Sequence, residues 1–142
     1  MRWKLPGIAG LILLTAPAWA QMPQRAPWDG VWRGQAQGGN CAPLDVQVTI
    51  ESGLLDGTAT EPDPGPARVQ GKKGERRPPP PALWQLNGQV QSDGTVTIIG
   101  LRSMVERQRQ HSRWRGAATA STLRITETEG PCRRTANLQR QQ

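Results

Sequence analysis

The chain has 142 residues, with 18 Lys and Arg against 11 Asp and Glu, a formal charge of +7, two cysteines, six tryptophans and neither Phe nor Tyr. That length holds one domain and excludes two of ordinary size. A core with so few large side chains is modest and benefits from a covalent staple.

Residues 1–20 read as a secretory signal. Arg2 and Lys4 supply the positive start, Leu5 to Thr15 the apolar stretch, and Ala18-Trp19-Ala20 the small-x-small pattern that places Gln21 at the new N-terminus. A membrane anchor requires about 20 mainly apolar residues. This run is shorter and interrupted by Pro6, Gly7 and Pro17, so no transmembrane segment is expected after cleavage. Position 21 is not a cysteine and no arginine pair precedes the apolar run, which argues against lipoprotein and twin-arginine export. The expected location is the periplasm or the exterior. Taking Arg2 and Lys4 from +7 leaves the mature part at +5.

Residues 21–27 read as a disordered lead-in, and 28–140 as one domain. Period-two alternation, the mark of a half-buried strand, begins at Val31 to Gln37. It continues at Leu44, Val46, Val48 and Ile50, opposed by Asp45, Gln47, Thr49 and Glu51. Ser52-Gly53 turns the chain into Leu54 to Thr60. The stretch from 61 to 83 contains Pro62, Pro64, Pro66 and Pro78 to Pro81. It cannot pair inside a sheet, and its four-proline run favours polyproline II, so a basic projecting loop bearing Lys72, Lys73, Arg76 and Arg77 is expected. Alternation resumes at Trp84, Leu86, Gly88 and Val90, followed by the hairpin signal Ser92-Asp93-Gly94 and the returning strand Thr95 to Arg102. Met104 to Ser112 reads as a polar connection with room for one helical turn. Arg113 to Ala120 sets Trp114, Gly116, Ala118 and Ala120 against Arg113, Arg115 and Thr119, and Ser121-Thr122 leads into Leu123 to Thr128. Cys132 to Arg140 closes the series, with Cys132, Arg134, Ala136 and Leu138 on one face.

Eight strands joined mostly by tight turns give an antiparallel meander, because parallel strands need long crossovers. Such a set closes into a small up-and-down barrel without exposed edges; the alternative is a two-sheet sandwich. Cys41 follows the first strand and Cys132 opens the last, so a Cys41–Cys132 disulfide fits a closed barrel in an oxidising compartment. A redox pair would show the Cys-x-x-Cys spacing, and a metal site would need more ligands than two cysteines and the lone His111. Trp32-Arg33-Gly34 and Trp114-Arg115-Gly116 repeat one tripeptide, with Trp84 to Gly88 a looser relative. These glycines are expected to leave room for a neighbouring indole and to permit coiling. Trp32, Trp84 and Trp114 are core residues or, alternatively, the lining of a cavity.

Enzymatic signatures are scarce. His111 falls in a polar connection, and Asp56, Glu61 and Asp63 are scattered around a turn and a proline segment. No glycine-rich phosphate loop or metal motif occurs, so no catalytic residue, metal or cofactor is expected. The basic residues form clusters at Lys72, Lys73, Arg76 and Arg77, at Arg107, Arg109, Arg113 and Arg115, and at Arg133-Arg134. Such patches attract polyanions, although basic side chains also serve simply to keep a β-protein soluble. Nucleic acid is not the expected partner, because aromatics interleaved for base stacking are lacking. The proline run also has the composition of a ligand for an aromatic groove.

Asp29-Gly30-Val31-Trp32-Arg33-Gly34, the Asp93-Gly94 hairpin, Trp114-Arg115-Gly116 and Gly130-Pro131-Cys132 together resemble small exported proteobacterial β-barrel domains of unknown function. The resemblance covers about residues 28–140, and the proline-rich insertion departs from it. More distantly, the leader, eight strands and single disulfide are similar to bacterial periplasmic metalloprotease inhibitors, which would imply that Gln21 to Pro27 enters a protease cleft. The favoured expectation is an exported, non-enzymatic binding or envelope-associated module that contacts an acidic envelope polymer or an exported protein through Lys72, Lys73, Arg76, Arg77, Arg113 and Arg115. A protease inhibitor and a lipocalin-like carrier of a small apolar ligand are the alternatives.

Overall fold

Alternation of apolar and polar residues carries the architecture. In a computed structural model, which describes residues 25–62, 82–103, 109–130 and 132–142, the chain forms eight strands. They are β1 (Gly30–Gln37), β2 (Leu44–Glu51), β3 (Leu54–Thr60), β4 (Leu83–Val90), β5 (Thr95–Ser103), β6 (Arg109–Ala118), β7 (Thr122–Glu129) and β8 (Thr135–Arg140). Residues 1–24, which include the expected leader, lie outside the described residues, as does the segment carrying Lys72, Lys73, Arg76 and Arg77.

Each strand pairs antiparallel with the next, and β8 pairs back to β1 through Ala36↔Ala136 and Arg33↔Gln139. The up-and-down barrel is therefore closed, and the two-sheet sandwich is excluded. Three tight turns define one end of the barrel. At Ser52-Gly53 both residues have positive φ, 51° and 79°, the condition for a two-residue turn whose twist matches its strands. At the β4–β5 turn the Thr95 amide donates to Asp93 Oδ1 at 2.8 Å, which holds the Asp93 carboxyl below its usual range. At the β6–β7 turn Thr119 Oγ1 accepts from the Thr122 amide at 3.0 Å. The longer connections, 38–43, 61–82, 104–108 and 130–134, all leave the opposite end. These are called the turn end and the loop end below.

Inward positions build a single core that includes Trp32, Leu44, Val48, Ile50, Leu86, Ile98, Leu123, Ile125 and Leu138. The glycines two residues after Trp32 and Trp114 make room for something other than the expected indole. A Cβ on Gly34 would press on the Asn137 carbonyl and Leu138, and one on Gly116 would overlap the Arg124 carbonyl. The space is taken by the neighbouring strand's backbone, not by an indole, so these residues let adjacent strands approach and coil tightly. Gly116→Ala should therefore destabilise the barrel by about 1–3 kcal/mol through overpacking, read as a lower urea midpoint with an unchanged native tryptophan spectrum.

Two boundaries differ from the sequence expectation. β6 begins at Arg109, because Leu101, Arg102 and Ser103 of β5 pair with His111, Gln110 and Arg109. His111 thus stands on a strand and faces solvent. β8 begins at Thr135, so Cys132 to Arg134 belong to the connection before it. A bulge between Arg113 and Trp114 shifts the β6–β7 register, so that Arg113 pairs with Glu129 and Trp114 with Glu127.

Candidate functional site

The loop end holds the disulfide. Cys41 and Cys132 are bonded with Cα atoms 5.9 Å apart, within the range such bridges span. Gly38 and Gly39, at φ +128° and +62°, lie against the backbone of Arg133, so the β1–β2 loop packs directly on the segment that carries Cys132. Beside the bridge is a charged pair inside the barrel. Glu127 and Arg134 are 1% and 4% exposed. Arg134 Nη1 lies 3.7 Å from Glu127 Oε2, and Arg134 Nε donates to the Ala42 carbonyl at 2.9 Å. The Arg134 amide donates to Glu127 Oε2 at 3.4 Å. Glu127 Oε1 has no hydrogen-bond partner among the described residues. Burial pushes the Glu127 carboxyl up and the Arg134 guanidinium down, each partly offset by the other's charge. Both shifts follow from removing charged groups from water. Gly130 covers Oε1 closely enough that a Cβ there would overlap it, and the pair is shut off from solvent. It braces the last hairpin against the β1–β2 loop.

Trp32, Trp84 and Trp114 all belong to the buried hydrophobic cluster and are 0%, 3% and 2% exposed. The Trp32 indole donates to the Trp28 carbonyl and that of Trp114 to Ser112 Oγ, both at 2.9 Å. At the turn end Arg140 lies over the Trp32 ring, 5.4 Å from its centroid. Its guanidinium donates to the Pro27 carbonyl at 3.0 Å and also to that of Asp29. Ala26 and Asp29 close a turn on each other. The last residues of the lead-in are thereby fastened to the barrel floor.

The outer wall is segregated by charge. β2 and β3 present Asp45, Glu51 and Asp56 to solvent. On the far side, β6 and β7 present Arg109, Arg115 and Arg124. Arg113 also lies on this side, but Glu129 holds it at 2.9 Å, so half of the sequence-predicted pair Arg113 and Arg115 is already compensated. Arg115, Arg124 and the outward Arg33 of β1 make no ion pair among the described residues. Arg124 and Arg33 fall outside the clusters contiguous in sequence: Arg124 comes beside Arg115 through the β6–β7 pairing, and Arg33 reaches this side through the β8–β1 closure. The basic loop begins where Glu61 N donates to the Ala82 carbonyl at 3.1 Å, at the loop end. Among the described residues no group of three or more His, Cys, Asp or Glu side chains is arranged to hold a metal.

No protein-family model matches the chain, and no curated protein matches it. Among solved structures, a redesigned β-barrel is similar to it, with a TM-score of 0.50 and 14% identity over 82% of this chain and 93% of the designed one. The likeness is one of fold.

Proposed function

We propose that this protein is an exported, non-enzymatic binding module that holds an acidic polymer or acidic protein against the arginine-bearing wall of its barrel. The reading is carried by the separation of charge around the barrel, with carboxylates on β2 and β3 and uncompensated guanidinia on β6 and β7. A one-sided positive field attracts and orients a polyanion. Trp32, Trp84 and Trp114 are buried and Trp28 packs against the core from the turn end, so no aromatics are interleaved with the arginines of the wall, which supports a partner other than nucleic acid. Lys72, Lys73, Arg76 and Arg77, outside the described residues, add further positive charge to the chain. The disulfide supports an oxidising, extracytoplasmic setting.

Retention on heparin across a salt series tests this. Wild-type protein should elute well above about 0.15 M salt, where exposed charges are already screened beyond about 8 Å. Arg115→Gln/Arg124→Gln should elute distinctly earlier. Elution of wild-type protein below that concentration, unaltered by the double substitution, would remove the proposal.

A further inference from the structure

The register of the barrel arranges the free arginines in a line. Arg115 on β6 pairs with Thr126 on β7, which pairs with Thr135 on β8. One row further along, Arg124 on β7 pairs with Asn137 on β8. In the next row Thr122 pairs with Gln139, and Gln139 with Arg33 on β1. Arg115, Arg124 and Arg33 therefore step diagonally across four adjacent strands, one row at a time. With strands about 4.8 Å apart and two residues spanning about 6.8 Å, their backbone positions are about 8 Å and then about 12 Å apart.

The outward side chains between them are Thr126, Thr135, Asn137, Gln139 and Thr122, all hydroxyls and amides. No carboxylate lies within these rows among the described residues. The Thr126 and Thr135 hydroxyls already bond each other at 3.1 Å. Asn137 and Gln139 are exposed. At its β1 end the track runs into a groove of about 280 Å³ lined by Arg33, Asp45, Gln47 and Thr58, where Asp45 is engaged by Gln35 at 3.1 Å.

We infer that this diagonal binds a linear acidic polysaccharide, with Arg115, Arg124 and Arg33 taking its anionic groups and Asn137 and Gln139 its hydroxyls. The inference rests on the polyanion reading above and narrows it. A densely charged polymer without hydroxyls, such as polyphosphate, would leave the amides between the arginines unused. A chain with spaced charges and hydroxyls between them matches the alternation of guanidinium and amide. Planar guanidinia bond carboxylates and sulfates through two parallel donors, and side-chain amides both donate to and accept from hydroxyls.

The experiment compares polygalacturonate and polyphosphate, at equal charge and ionic strength, for binding to the oxidised mature protein, Arg115→Gln/Arg124→Gln and Asn137→Ala/Gln139→Ala. All substitutions are on exposed strand positions, where stability changes little, and native folding is checked by near-ultraviolet circular dichroism. Polygalacturonate should bind wild type more tightly. Loss of the two amides should weaken it about tenfold, the equivalent of roughly one hydrogen bond's worth per amide, while leaving polyphosphate within about twofold. The arginine variant should weaken both polymers. Equal binding of the two polymers, indifferent to Asn137 and Gln139, would overturn this inference and leave the polyanion reading standing. Binding of neither would overturn both.

Discussion

Cys41→Ala/Cys132→Ala should lose about 4–5 kcal/mol of stability, the chain-entropy value for a loop of this length. The two cysteines are 91 positions apart, so the bridge restricts almost the whole barrel in the unfolded state. It is not what closes the folded one, since β1 and β8 are hydrogen-bonded along their length and Arg134 Nε reaches Ala42 beside Cys41. The variant should therefore keep the native fold while its unfolded chain expands. Alanine is the suitable replacement because Cys132 is 5% exposed, and serine would bury a hydroxyl without an assured partner. Urea titration checks this: the midpoint should fall and the slope rise, since the slope reports the surface newly exposed on unfolding. Domains of this kind are stable by only about 5–15 kcal/mol, so a fall of that size brings the variant near its unfolding threshold. A loss below about 1 kcal/mol would show the covalent link to be redundant with the strand pairing.

The strands were legible wherever one face is polar and the other apolar. β2, with Leu44, Val46, Val48 and Ile50 inward, is readable from spacing alone, and so is the Asp93-Gly94 turn, because only a few residues accept its geometry. The start of β6 was not legible, since its inward Ser112 is polar and bonds the Trp114 indole; the alternation that marks a strand is lost when the buried partner is a hydroxyl. The bulge at Arg113 was hidden for a related reason. It inserts one residue without leaving a sequence mark, and it decides that Glu129 meets Arg113 outside while Glu127 faces inward. The disulfide was readable because the cysteine count is two and the first and last strands of a meander must meet if it closes. The arginine diagonal was not, because Arg33 and Arg115 are 82 positions apart and come onto one side of the barrel only through that closure. Clusters contiguous in sequence drew attention to Arg113, whose charge Glu129 neutralises, and away from Arg124.

Charge segregation and core filling are two consequences of one constraint. A barrel with four described tryptophans and no Phe or Tyr commits its indoles to the core and its rim, so the proposed recognition falls to the outside wall. There, a strand offers every second residue to solvent at fixed spacing. A rigid sheet surface holds arginines at set distances without the ordering entropy that a loop incurs.

Arg134→Met should cost about 3–5 kcal/mol at neutral pH, because it leaves the Glu127 carboxylate buried with its charge partner removed. The existing pair is not close, at 3.7 Å, and burial already outweighs it in setting the Glu127 carboxyl above its ordinary range. The pH dependence follows from that direction. A carboxyl that holds its proton more tightly in the folded than in the unfolded state stabilises the fold fully below the unfolded value, and this contribution is lost as pH rises through the raised folded value. Removing the guanidinium raises the folded value further. The difference between Arg134→Met and wild type should therefore be largest near neutrality and shrink toward pH 4, where the carboxyl is protonated in both. Glu127→Leu/Arg134→Met removes both charges together and should recover most of the loss, since apolar replacements of buried pairs are often neutral or stabilising by about 1–4 kcal/mol. Urea unfolding of the three proteins across that pH range decides the matter. A single variant as stable as wild type at neutral pH, or a deficit that does not change on acidification, would mean that Glu127 already carries a proton and that Arg134 acts only through Ala42.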